Sequence, residues 1–183
     1  MKLNKCLKYI KSDLFRYHGQ ISIKIFIREF YFNNGFKYTF WFRLSKVDNK
    51  CFRLFAMFWL YRARVNYGIH ISSKVQCGYG LYLGHGMNIV VNPNTVIGNN
   101  VNFSQFTTLG SHSQKGATIG DDVYIGPNVN IIGDKKIGSG CIIGAASVVT
   151  KDVEESSIVV GNPAKLVRYT CYNQYVNNRW LCD

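Results

Sequence analysis

From Ile119 onward an apolar residue returns at every sixth position: Ile119, Ile125, Ile131, Ile137, Ile143 and Val149. Glycine directly follows four of them, as Gly120, Gly126, Gly138 and Gly144. Upstream the same step joins Val91, Ile97, Phe103 and Leu109, and a shorter run of Ile69, Val75 and Leu81 opens the series. An α-helix would space its apolar residues three and four apart, and a half-solvated strand would alternate them. A step of six instead fits a short strand and a turn, repeated around a three-sided prism. The aliphatic residue points into the narrow interior, and the Gly, Asn or small residue beside it accepts the corner conformation. Each coil then buries its face only on its neighbours, as solenoids do.

Two places break the period. From Leu81 to Val91 the step is ten, across LYLGHGMNIV, and from Leu109 to Ile119 it is again ten, across LGSHSQKGATI. Solenoids take insertions as loops leaving one face, and such loops carry function. Both breaks contain a histidine, His85 and His112.

The first 66 residues lack the period. Segments around 2–16, 21–32, 36–46 and 50–65 mix apolar and basic residues at helical spacing, with breaks at Gly19 and Asn33-Asn34-Gly35. They predict a head of three or four short amphipathic helices packed on the first coil. A β-helix spans 67–160, and after the turn signal Gly161-Asn162-Pro163 a basic tail covers 161–183.

Charge sharpens this division. The formal net charge is +12, and hydrophobic residues make up 47% of the 183, which excludes intrinsic disorder. Fourteen of the 22 Lys and Arg fall in residues 1–65, against three acids, Asp13, Glu29 and Asp48. That basic, aromatic head carries no nucleic-acid-binding motif, so no nucleic-acid partner is expected. Its composition fits peripheral contact with an anionic membrane surface. The N-terminus has no secretory signal, and the longest apolar run, Leu54–Leu60, is too short to span a bilayer, so a cytoplasmic protein is expected. Cys6, Cys51, Cys77, Cys141, Cys171 and Cys182 lack metal or disulfide spacing and read as reduced thiols; no metal is expected.

The segments GLYLGHGMNIVVNPNTVIGNNV (80–101), IGDDVYIGPNVNIIG (119–133), IGAASVVTKDV (143–153) and VVGNPAKLVR (159–168) resemble the serine acetyltransferase branch of the hexapeptide-repeat acyltransferases. The resemblance covers about 67–168. The head, with GFKYTFWFRLSKV (35–47), resembles small O-acetyltransferases of surface-polysaccharide biosynthesis. A left-handed parallel β-helix, a homotrimer and acetyl-CoA as co-substrate are what this resemblance implies.

Roles follow residue by residue. Leu83-Gly84-His85 matches the frame of the family's catalytic histidine, which makes His85 the general base. An imidazole with a pKa near ~6.5 can take a hydroxyl proton as the ester bond forms. The corners Gly126-Pro127 and Ala145 match positions that meet the pantetheine arm of CoA. Thr150-Lys151 and Arg168 match those that meet its adenosine phosphates, with Lys165 nearby; cations suit phosphate there.

The acceptor is where the chain departs from the family. Gly84 and Gly68 stand where serine acetyltransferases carry aspartates, and no acid occurs from Asn49 to Gly120. A zwitterion such as L-serine wants a carboxylate for its ammonium group. The sequence therefore favours a neutral acceptor, a sugar or lipid-linked glycan hydroxyl, held by Tyr82, Asn88, Asn92 and His112. Serine O-acetylation is the alternative, to which the head could contribute Asp48 or Glu29.

Overall fold

The structure is a computed structural model that describes residues 1–181. Four helices open it: α1 (Leu3–His18), α2 (Ile23–Phe32), α3 (Asn34–Leu44) and α4 (Lys50–Tyr67). Their ends follow local chemistry. Gly19 and Gly68 close α1 and α4 in the left-handed conformation, while Ser22, Asn33 and Asn49 cap the N-termini of α2, α3 and α4 with their side chains. Asn33 and Asn34 thus start a helix where the sequence suggested only a break.

The rest is a parallel β-helix. Its first coil holds β1 (His70–Ile71), β2 (Gln76–Cys77) and β3 (Tyr82–Leu83), and its second β4 (Val90–Val91), β5 (Val96–Ile97) and β6 (Asn102–Phe103). The third holds β7 (Thr108–Gly110), β8 (Thr118–Ile119) and β9 (Tyr124–Ile125), and the fourth β10 (Asn130–Ile132), β11 (Lys136–Ile137) and β12 (Ile142–Ile143). Then come β13 (Val148–Val149), β14 (Ser157–Val160) and β15 (Lys165–Tyr169). Three sheets result, with orders β1-β4-β7-β10-β13, β2-β5-β8-β11 and β3-β6-β9-β12-β14-β15. All pairs are parallel except β14–β15.

The register explains the period and corrects its phase. Ile71, Val91, Leu109, Ile131 and Val149 stack in one column, and a second buried row lies two residues earlier, at Ile69, Ile89, Thr107, Val129 and Ser147. Ile69, Val75 and Leu81 belong to that second row, so the opening run sits two residues out of phase with the others. Both rows have period six, and spacing alone cannot distinguish them. In true register the step from Leu83 to Val91 is eight, an insertion of two residues, and that from Leu109 to Ile119 is ten, an insertion of four.

An open solenoid end leaves a coil of unpaired backbone groups that must find partners. Here polar side chains of the head supply them. Arg43 Nη1 and Nη2 donate to the carbonyls of Cys77 and Gly78 at 3.0 and 2.7 Å. Lys46 Nζ donates to the Val75 carbonyl. Ser12 Oγ accepts from Gly80 N–H and Asp13 from Leu81 N–H. Tyr38 O–H donates to the Ile71 carbonyl and its oxygen accepts the Ile71 N–H. Arg43 and Asp13 pair in two bonds of 2.8 and 2.9 Å, with both side chains buried. Burial works against the Arg43 charge, but the Asp13 carboxylate more than offsets it and raises the guanidinium pKa. Part of the basic head is therefore a polar cap.

The tail ties the two ends together. Asn173 Nδ2 donates to the carbonyls of Asp122 and Cys141, Tyr175 stacks on Tyr124, and Trp180 N–H donates to Asn100 Oδ1. Arg16 Nε donates to the Asn177 carbonyl, and Asn178 Nδ2 to that of Arg16. The tail runs up one edge of the prism and ends against α1. Five cysteines are free thiols, and Cys182 lies outside the described residues.

Candidate active site

His85 sits on the corner that leads from the third strand of the first coil to the first strand of the second. Its φ is +61° and that of Gly86 is +50°, so the turn is left-handed at two successive residues. For a side-chain-bearing residue this costs on the order of 1 kcal/mol, a strain found at functional sites. The two inserted residues widen the turn and leave His85 exposed, while Gly84 N–H holds the strand side by donating to the Phe103 carbonyl at 2.7 Å. Among the described residues the His85 ring makes no hydrogen bond.

The head presses on this turn. A Cβ on Gly86 would lie 2.2 Å from Gly35 N, and one on Gly35 would lie 2.2 Å from the Leu83 carbonyl. Glycine at both places lets the first turn of α3 meet the His85 turn backbone to backbone. Asn33, which caps α3, also donates to Glu29 at 2.9 Å. Burial opposes the Glu29 charge, but bonds from His18, Arg28 and Asn33 hold its carboxyl below the usual range. An anionic carboxylate thus stands one capping residue away from the helix start that abuts His85.

The pairing Leu83↔Phe103↔Ile125↔Ile143 sets one corner of four successive coils, where Met87, Gln105, Pro127 and Ala145 are equivalent and His85 lies in the two-residue insertion just before Met87, whose carbonyl accepts the Phe106 N–H. Asn128 N–H donates to the Gln105 carbonyl and Ala146 N–H to that of Pro127, keeping the column in register. At about 4.8 Å per coil, the Met87 and Ala145 corners stand about 14 Å apart on one edge of the prism, with His85 beside the first. Gly126 packs beneath Ala145, where a Cβ would approach Ala145 N to 2.9 Å. Lys165 belongs to the same end, since it pairs with Val160 next to that corner. Arg168 lies farther along β15 opposite Ile158, and Thr150-Lys151 follow β13 at the next corner; all three are exposed. One edge thus unites His85, Gly126, Pro127, Ala145 and Lys165, while Thr150, Lys151 and Arg168 stand off it.

The four acceptor candidates do not converge. Tyr82 packs against Tyr17 with ring centroids 4.6 Å apart and planes inclined at 42°. Asn88 leans over Gly68, where a Cβ would meet its Oδ1 at 2.2 Å. Asn92 Oδ1 accepts from Asn94 N–H, which makes it a turn residue. His112 is exposed in a loop that Ser111, Ser113 and Asn94 close with side-chain bonds. Asn92 Nδ2 also donates to the Ser111 carbonyl, so Asn92 and the His112 loop meet at one corner, apart from Tyr82 and Asn88.

Sequence reasoning missed a cleft of about 510 Å³ between α4 and the β1-β4-β7 sheet. Tyr38, Tyr61, Arg64, His70, Asn92 and Ser111 are among its lining residues. Burial and then the Arg64 charge lower the pKa of His70. The cleft begins on β4, five residues beyond His85. Its components come from two helices, three strands and the turns that follow them, and no spacing in the sequence links them. Among the described residues, no group of three His, Cys, Asp or Glu side chains is placed to hold a metal ion.

A six-residue coil with a histidine on a widened corner defines a class, and comparison with known proteins confirms it. Residues 116–151 match the family described as bacterial transferase hexapeptide (six repeats). The chain belongs to the hexapeptide-repeat transferases, in their serine acetyltransferase-like branch. It is 36% identical over 127 residues to serine acetyltransferase 2 of Arabidopsis thaliana, covering 67% of this chain and 39% of that protein. It is 39% identical over 104 residues to the serine acetyltransferase of Bacillus subtilis, covering 55% of this chain and 48% of that one. The structure of the Neisseria gonorrhoeae serine acetyltransferase in complex with serine superposes with a TM-score of 0.73 at 32% identity, over 91% of this chain and 70% of that one. The chain spans half or less of the length of these two curated relatives.

These findings overturn the glycan acceptor. The relatives are serine acetyltransferases, and one of the matching structures is a complex with serine. The lack of acids from Asn49 to Gly120 therefore does not decide the acceptor. The fold brings α3 against the His85 turn, and Glu29 is linked to that helix through Asn33 while His18 and Arg28 engage its carboxylate.

Proposed function

We propose that the protein is an acetyl-CoA-dependent O-acetyltransferase whose acceptor is L-serine. One observation carries the reading: His85 shares an edge with the Pro127 and Ala145 corners. This aligns a general base with a track for an extended thioester donor. The His85 imidazole takes the proton of the serine hydroxyl as its oxygen attacks the thioester carbonyl carbon. The C–O bond forms, the tetrahedral oxyanion collapses, the C–S bond breaks, and the imidazolium returns the proton to the departing thiolate. Arg64 supplies a cation for the acceptor carboxylate in the cleft beyond β4, and Lys165, Lys151 and Arg168 supply cations for the donor phosphates.

The active unit is a homotrimer. The outer faces of the first two sheets expose Val90, Val96 and Ile132, which copies of the prism would cover. Packing would also bring Thr150-Lys151 of one copy towards the donor track of another. Sedimentation should give the mass of three chains, and an active monomer would contradict this. The function is tested by incubating the protein with acetyl-CoA and L-serine. O-acetylserine should form with one thiol released per ester, and Lys165→Ala and Arg168→Ala should raise the KM for acetyl-CoA more than they lower kcat. Thiol release without ester formation would overturn the reading.

A further inference from the structure

Helix α4 is amphipathic in reverse. Only Ala56, Leu60 and Ala63 of it are buried. At 100° per residue the side directly opposite carries Leu54, Phe58, Tyr61 and Val65, within an arc of about 60°. These four are 57, 58, 62 and 64% exposed. A solvated helix would carry its polar residues there. Helix α2 repeats the arrangement, with Ile23, Ile27 and Tyr31 exposed at spacing four and Lys24 and Arg28 beside them. An aromatic seam joins the two helices, because Trp41 of α3 touches Phe30 on one side and Phe55 and Trp59 on the other.

Charge decides what covers this face. Helix α4 carries Lys50, Arg53, Arg62 and Arg64 and no acid. The three acids of the head are all engaged: Asp13 by Arg43, Glu29 by Arg28 and His18, and Asp48 by the N-terminal ammonium. The spacing of Leu54, Phe58, Tyr61 and Val65 would also suit pairing with α4 of a second copy. The flanking Lys50 and Arg62 would then meet only like charges, in either orientation. A surface that is apolar below and anionic above satisfies both the stripe and its flanks. We propose that α4, with α2 beside it, docks on an anionic lipid bilayer, its apolar stripe in the interface and its cations among the headgroups. Aromatic side chains such as Phe55, Phe58 and Trp59 suit that depth. No helix among the described residues is long and apolar enough to cross a membrane, so the helix lies on the surface.

Co-sedimentation with vesicles tests this without reference to catalysis. The full chain should bind vesicles of phosphatidylcholine with about 30 mol% phosphatidylglycerol at least ~10-fold more tightly than vesicles of phosphatidylcholine alone, and lose most of that binding in ~0.5 M salt. The double variant Leu54→Ser/Phe58→Ser should weaken binding about 10-fold, because two apolar anchors are lost. Its thermal melt should be unchanged, since both side chains face outward. Equal binding to both vesicles, binding to neither, or unchanged binding by the folded double variant would overturn the proposal. So would a change in sedimenting mass in the double variant, which would make the face an interface between copies.

Discussion

Replacing His85 by alanine lowers kcat by about 10²–10⁴-fold and leaves the KM for acetyl-CoA nearly unchanged, the pattern of a lost general base. The backbone at this position supplies a control. With φ at +61°, alanine carries a conformational cost that asparagine largely avoids. His85→Asn should therefore melt closer to the wild type than His85→Ala while losing activity to the same extent. That pairing separates chemistry from folding. Steady-state kinetics on both variants decide it, and a kcat above about a tenth of wild type in either would remove His85 from the role.

Replacing Arg43 by methionine destabilises the protein by about 3–5 kcal/mol, among the largest effects expected of any single change in the head. Arg43 holds two carbonyls of the first coil and compensates a carboxylate that is itself fully buried. Without it, Asp13 becomes an uncompensated buried charge and the carbonyls of Cys77 and Gly78 lose their donor. Urea denaturation measures the loss. A change below about 1 kcal/mol, the scale of an exposed ion pair, would show that the Arg43–Asp13 pair does not fasten the head to the β-helix.

The β-helix was legible in the sequence because its cause is local: one inward aliphatic residue and one corner per six residues. Even the breaks at Leu83–Val91 and Leu109–Ile119 show as missed beats. The phase was not legible, since two buried rows share the period. The cap was hidden for a different reason. Arg16 and Arg43 lie in helices and Lys46 in the turn after α3, where a cation usually faces water, and only the neighbouring coil reveals that they serve its carbonyls, Arg16 that of Gly80 at 2.9 Å. That His85, Gly126, Pro127 and Ala145 fall at corners was legible, because each lies within two residues of a strand position set by the repeat. Tyr82, Asn88 and Asn92 were grouped by nearness to His85 in sequence, but a coil turns 120° at every corner, and neighbours in sequence then face different sides. The cleft beside β4 draws on α3 and α4, which no periodicity connects to the coil, so it could not be read from the sequence.

In the proposed reaction one edge of the prism serves both chemistry and donor binding. A crystal structure of the protein with CoA tests this most directly. The thiol should lie beside the His85 imidazole, and the pantetheine arm should run past Gln105, Pro127 and Ala145 towards Lys165. CoA seated along the edge covered by the C-terminal tail, or within the cleft between α4 and the first sheet, would contradict it.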